Sequence, residues 1–152
     1  MLNFPSKNKD NSEDSVGLLF MRAYNKWHGE IKRQLNKINL THPQFVVLTS
    51  LGYLSQQEKE VTQVMLSKIS GMDVMSISQI IGTLEKKALI VRKEHSKDTR
   101  AKTVSITETG QATLEKAIPI VENIDIKYFG SLANNEYDFI RLLNTLNAYN
   151  FD

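Results

Sequence analysis

Between Arg92 and Lys102 the chain packs three lysines, two arginines, two acids and a histidine into eleven residues, with Asp98, Thr99 and Arg100 at the tip. Side chains of this kind perform no covalent chemistry together; they meet phosphates and groove edges. An arginine at the tip of a hairpin suits a narrow, electronegative minor groove, where a guanidinium reads groove width more than base identity. Asp98, two residues earlier, can orient that guanidinium or pin the turn by an Asx-type hydrogen bond. The alternative is a plain surface ion pair, worth about 0–1 kcal/mol. Arg92, Lys93, Lys97 and Lys102 are cast as phosphate contacts, which add affinity without sequence information. Lys68, Lys86 and Lys87 either add to this set or are simply solvated.

A second group lies just upstream. Val74, Ile77, Ile80, Ile81 and Leu84 recur as one apolar stripe of a helix. The opposite face then offers Met75, Ser76, Gln79, Gly82, Thr83 and Lys86. Gln79 can pair in bidentate fashion with adenine, and Ser76 and Thr83 can donate or accept. Met75 or a threonine methyl can touch a thymine methyl. Each good base contact would be worth roughly 1–3 kcal/mol of discrimination. Solvated positions with no partner are the alternative reading.

Other chemistries find no support. The chain has no cysteine, which removes disulfides, thiolate metal sites and thiol nucleophiles. His28, His42 and His95 stand far apart in the sequence, and none has a partner at helical ligand spacing. The seven glycines are scattered, and neither a phosphate loop nor a nucleophile elbow is present. We therefore expect no catalytic residue, metal or cofactor, and no enzyme.

The elements that must position these groups follow from periodicity. Val16, Leu19, Phe20, Ala23, Trp27, Ile31, Leu35 and Ile38 recur at three and four residues, predicting a long helix over about 15–36. Thr41 is the expected N-cap of a second helix, with Pro43 tolerated in its first turn. A polar loop, Ser55 to Glu60, precedes two short helices. The first carries Val64, Met65, Leu66 and Ile69 and stops at Gly71; Asp73 caps the second, which carries the stripe above. Two apolar-faced helices joined by a short glycine-containing turn match a helix-turn-helix. Residues 89–93 and 103–106 read as two strands bracketing the charged hairpin. Thr107 caps a further helix with Pro119 inside it, which should kink it. A last helix opens near Asn134 and presents Phe139, Leu142, Leu143, Leu146 and Tyr149.

The expected fold is thus mainly α with a small two-stranded β wing. Residues 1–14 read as a flexible N-terminus and 15–150 as one domain. Within it 41–107 form the winged helix-turn-helix lobe, and 15–38 with 108–150 supply long terminal helices. The terminal helices leave more apolar surface than one protomer can cover, which suggests a homodimer. Residues 61–106 carry eight basic and four acidic side chains, a net +4, whereas 107–152 carry three and seven, a net −4. A local basic face with an acidic tail fits a nucleic-acid binder better than a membrane-surface protein. The apolar runs are too short to span a bilayer and no signal-peptide pattern opens the chain, so a cytoplasmic protein is expected.

These residues resemble the MarR family of bacterial winged helix-turn-helix transcription regulators over about residues 15–150. The wing segment Asp98 to Gly110 is similar to the family's pattern of Asp, any residue, Arg, then a strand ending in Leu-Thr and a Gly; Ile106 stands for the Leu. Leu84 to Leu89 resembles the family's Leu-Glu-Lys-Lys-Gly-Leu, with Ala88 where glycine is usual. A helix C-terminus often wants positive φ, so Ala88 implies mild strain or a different turn. Thr41 to Phe45 resembles the family's entry to the second helix.

The resemblance implies a homodimeric, sequence-specific binder of double-stranded DNA, most simply a repressor of a palindromic operator. Each recognition helix would enter a major groove and each wing a minor groove, with Asp98 and Arg100 in the roles given above. Relatives commonly respond to small aromatic or phenolic effectors held between the dimer helices and the DNA-binding lobes. Arg22, Trp27, His28 and His42 are the candidates for such a pocket; packing for Trp27 and solvation for the others is the alternative. The lack of cysteine excludes the thiol-oxidation switch of some relatives. A transcriptional activator of the same family, or a winged-helix protein-interaction module without specific DNA binding, are the rival functions. The presence of Asp98 and Arg100 and the +4 lobe argue against the latter.

Overall fold

A computed structural model describes residues 1–152. The helices begin where short polar side chains can satisfy free amides. Helix α1 spans Val16–Asn36 behind Ser15, and α2 spans His42–Ser55 behind Thr41. At Thr41 a reciprocal pair forms: the Gln44 amide donates to Thr41 Oγ1 and the Thr41 amide to Gln44 Oε1, each at 3.2 Å. Strand β1 is only Val61–Thr62, and Thr62 caps α3, Gln63–Ser70, which Gly71 ends at φ +72°. Helix α4, Val74–Lys86, follows Asp73. Strands β2, Ile90–Glu94, and β3, Lys102–Ile106, form the wing hairpin. Helix α5, Glu108–Gly130, starts behind Thr107 and continues past Pro119; α6 is Glu136–Asn147. Within the N-terminal stretch read as flexible, Ser12–Asp14 form a 3-10 turn capped by Asn11.

One core joins the elements. Ile31 and Leu35 of α1, Val47, Leu48 and Leu51 of α2, Leu66 of α3, and Ile77, Ile81 and Leu84 of α4 are fully buried together, with Ile90 and Val104 of the sheet and Ala117 of α5 beside them. This places the outward face of α4 and the tip of the β2–β3 hairpin on the same lobe, rigidly backed.

Three expectations are corrected. The wing sheet has three strands in the order β1-β3-β2, because Val61 and Thr62 pair antiparallel with Val104 and Thr103. A two-residue strand shows no alternation to detect, yet it buries Val61. Val64 and Ile69 of α3 are exposed, since this eight-residue helix buries only Leu66 fully. Val74, at the first position of α4, is also exposed, and the buried stripe begins at Ile77.

The expected conformational cost at Ala88 is present: its φ is +60°, the left-handed region that glycine occupies without penalty. The Leu89 amide donates to the Leu84 carbonyl at 3.0 Å there, closing the helix end before β2 begins.

Candidate nucleic-acid interface

Asp73 sets the start of α4. Its carboxylate accepts from the Ser76 amide at 2.9 Å and from the Ser76 hydroxyl at 2.7 Å, and these bonds hold it below the usual carboxylate range. The anchored first turn projects Met75, Ser78, Gln79 and, two turns on, Lys86 into solvent, over the stripe Ile77, Ile81 and Leu84. Ser78 belongs to this face and escaped the sequence reading. Two predicted members are partly committed elsewhere. Ser76 is half-buried and its hydroxyl proton points at Asp73. Thr83 donates to the Ile80 carbonyl at 2.7 Å and accepts from Gln44 Nε2 at 3.4 Å.

In the wing, Arg100 has a side chain 92% exposed, held at its root by Asp98. One Asp98 oxygen accepts from the Arg100 amide at 3.1 Å and from its Nε at 3.3 Å, so the carboxylate both pins the turn and orients the guanidinium. Lys93, Lys97 and Lys102 are exposed along the hairpin, with Glu94 3.9 Å from Lys102. Arg92, cast as a phosphate contact, has a partner within the protein. Its guanidinium donates to Glu85 of α4 at 2.9 Å, a bond that raises its own pKa and lowers that of Glu85, and so ties the wing to the helix. Lys87 is likewise engaged, donating to the Asn39 carbonyl at 2.7 Å and to Gln44 at 2.9 Å.

A basic finger and a small polar helix face are thus carried on one lobe. The winged-helix domain described as ArnR1-like matches residues 36–124 of the chain. The HTH-type transcriptional regulator YdcH of Bacillus subtilis (strain 168) is 37% identical over 122 residues, 80% of this chain and 83% of YdcH. The structure of Bordetella bronchiseptica BpsR, whose DNA binding is regulated by 6-hydroxynicotinic acid, aligns at a TM-score of 0.82 with 26% identity, covering 92% of this chain and 98% of BpsR. A mutant form of Escherichia coli MarR, in complex with operator DNA, shares the fold at a TM-score of 0.78 and 21% identity, over 93% of this chain and 97% of MarR.

The chain belongs to the MarR family.

In this MarR-family chain the four residues named for an effector pocket do not form one set. Arg22 is exposed and paired with Glu13. The other three meet, although 14 residues of sequence separate the two histidines: His28 Nδ1 lies 2.7 Å from His42 Nδ1, and the Trp27 ring stands edge-on to His42 at 5.1 Å. Trp27 Nε1 donates to Asp125 of α5 at 2.8 Å, which joins the terminal helices at the same point. His42, for which solvation was the alternative reading, is only 7% exposed because it fills the first turn of α2 against α1. A groove of about 430 Å³ between α1 and α5 adjoins Trp27 and is lined also by Lys26, Lys127, Asn123 and Tyr128.

Burial, with His28 as a smaller cause, lowers the His42 pKa from 6.5 to about 4. The neutral ring is therefore the folded form, whereas an unfolded chain protonates this histidine as pH falls through 6.5. Stability held at neutral pH is then lost progressively towards pH 4, by about 1–2 kcal/mol between pH 7 and 5. Urea unfolding at pH 7, 6 and 5 should show that slope, and His42→Gln should flatten it. Equal slopes in both proteins would mean that His42 is not the titrating group.

Proposed function

We propose that this regulator acts as a homodimeric repressor, binding a two-fold symmetric operator through α4 in the major groove and the wing in the minor groove, and that a small aromatic anion releases it. The observation that carries the reading is the pairing of Asp98 with an Arg100 otherwise free in solvent, next to an α4 face with Gln79 uncovered. Dimerisation is supported by surface that one protomer leaves bare. No residue of α6 is buried, and Val16, Phe20, Ile126, Ile140 and Leu146 are all exposed. Apolar area on that scale calls for a partner. The same surface on two copies would generate a closed two-fold assembly.

An aromatic anion is supported by the Trp27 groove, where Lys26 and Lys127 outnumber Glu30 and where Trp27 and Tyr128 offer rings. Regulation of BpsR by 6-hydroxynicotinic acid is the precedent among relatives. Such a ligand acts only if it prefers a lobe spacing different from the DNA-bound one.

Selection of purified protein on random duplexes, followed by footprinting, tests the proposal. Enriched sequences should be palindromic, with half-site centres about 10–10.5 base pairs, or a multiple, apart. Aromatic carboxylates should then displace the selected duplex. Failure to enrich any sequence over random DNA would overturn the operator reading, and a duplex immune to every aromatic acid tried would remove its effector half.

A further inference from the structure

Glu60 lies outside the wing hairpin, in the loop between α2 and β1, yet it makes the bonds that hold the wing's turn. Its Oε1 accepts from the Ser96 amide at 3.0 Å and its Oε2 from the Ser96 hydroxyl at 2.7 Å. The same Oε2 lies 3.2 Å from His95 Nε2. The other ring nitrogen, His95 Nδ1, accepts from the Lys97 amide at 3.1 Å and the Asp98 amide at 3.2 Å. A histidine that accepts at Nδ1 carries its proton on Nε2, and that proton is the one that faces Glu60. The network therefore runs from Glu60 through His95 and Ser96 to Lys97 and Asp98, and Asp98 holds Arg100.

We infer that Glu60 is the positioning residue of the wing, setting through His95 and Ser96 where Arg100 lies relative to α4. The inference rests on the proposal that the wing contacts DNA. The turn from His95 to Ala101 is bridged by few other bonds: the His95 amide reaches the Ala101 carbonyl at 3.2 Å, and the Ala101 amide reaches the Asp98 carbonyl at 3.0 Å. A hairpin tip without an outside tether would have to be ordered at each binding event, at the cost of affinity. Bare electrostatics points the other way, because an acid beside a cationic finger opposes a polyanion. The two effects have opposite signs, so the sign of the change upon removing the charge decides between them.

The experiment compares wild type, Glu60→Gln, Arg100→Ala and the double variant on the selected duplex by fluorescence anisotropy at constant salt. Glu60→Gln is nearly isosteric but turns an amide donor towards the Ser96 and His95 donors. Weaker binding, by about tenfold, is expected from losing a network of charge-assisted bonds. The double variant should bind no worse than Arg100→Ala alone, since Glu60 acts through that arginine; a merely structural loss would add. Ser96→Ala, which removes one hydroxyl, should weaken binding in the same direction and guards against a folding defect in the first variant. Unchanged or tighter binding by both Glu60→Gln and Ser96→Ala overturns the inference while Arg100→Ala still weakens. If Arg100→Ala binds like wild type, the wing–DNA reading fails and the role of Glu60 falls with it.

Discussion

Replacing Gly110 with alanine should destabilise the protein by roughly 3 kcal/mol or more, although the site is in a helix where alanine is ordinarily the better residue. A Cβ at this position would lie 2.0 Å from the Leu89 carbonyl oxygen, 2.8 Å from Ile106 Cγ2 and 3.0 Å from the Leu89 carbonyl carbon. Two of these atoms are backbone, so no rotamer change clears them. Leu89 is also committed: its carbonyl accepts from the Thr107 amide at 3.1 Å, while the Thr107 hydroxyl donates to the Ala88 carbonyl at 2.6 Å and accepts from the Gly110 amide at 3.0 Å. This knot fastens the start of α5 to the root of β2. Pushing it apart displaces the wing from the terminal helices. Gly29→Ala, in α1 where nothing lies within 4 Å of the added methyl, is the control and should gain about 0.5–1 kcal/mol from helix propensity. Urea unfolding of both at one protein concentration measures the contrast. An alanine at 110 as stable as wild type would show that α5 does not approach Leu89 so closely.

The features legible in the sequence were those carried by near neighbours in the chain. Thr41, Asp73 and Thr107 cap helices because a cap and its amides lie within three residues. Gly71 announced a left-handed position in the same way, whereas at Ala88 it was the family's glycine that pointed to one. The stripe Ile77, Ile81 and Leu84 needed only the helical period, and the family pattern around Asp98 and Arg100 directed attention to the wing. What escaped depends on contacts between distant segments. Glu60 is 36 residues from Ser96, and sits in a run that composition describes only as a polar loop. His28 and His42 meet because α1 and α2 fold back on each other at Asn39, where φ is +57°. Counting charges also overstated the free cations. Arg92 and Lys87 look like lysines and arginines anywhere else in the basic lobe until their partners, Glu85, Asn39 and Gln44, are placed beside them.

That correction shapes the other large expected effect, the dependence of operator affinity on salt. With Arg92 and Lys87 engaged, each lobe still offers Lys68, Lys86, Lys93, Lys97, Arg100 and Lys102 as exposed cations. If three to five of these reach phosphates in each protomer of a dimer, about 6–10 counterions are released, and affinity should fall roughly 10³–10⁵-fold between 50 and 200 mM salt. Anisotropy titrations at several salt concentrations give the slope directly. Arg100→Ala withdraws one cation per wing from the electronegative minor groove, so it should flatten the slope by at most about two for the dimer and weaken binding at every salt concentration. Arg92→Ala should leave the slope nearly unchanged, because its guanidinium is spent on Glu85, and should loosen the wing instead. A steep slope that Arg92→Ala reduces and Arg100→Ala does not would reverse the assignment of the two arginines. It would require the Arg92–Glu85 pair to open on DNA. A flat slope in the wild type would remove phosphate contact altogether, since no arrangement of neutral groups reproduces counterion release, and with it the reading of this lobe as a DNA-binding surface.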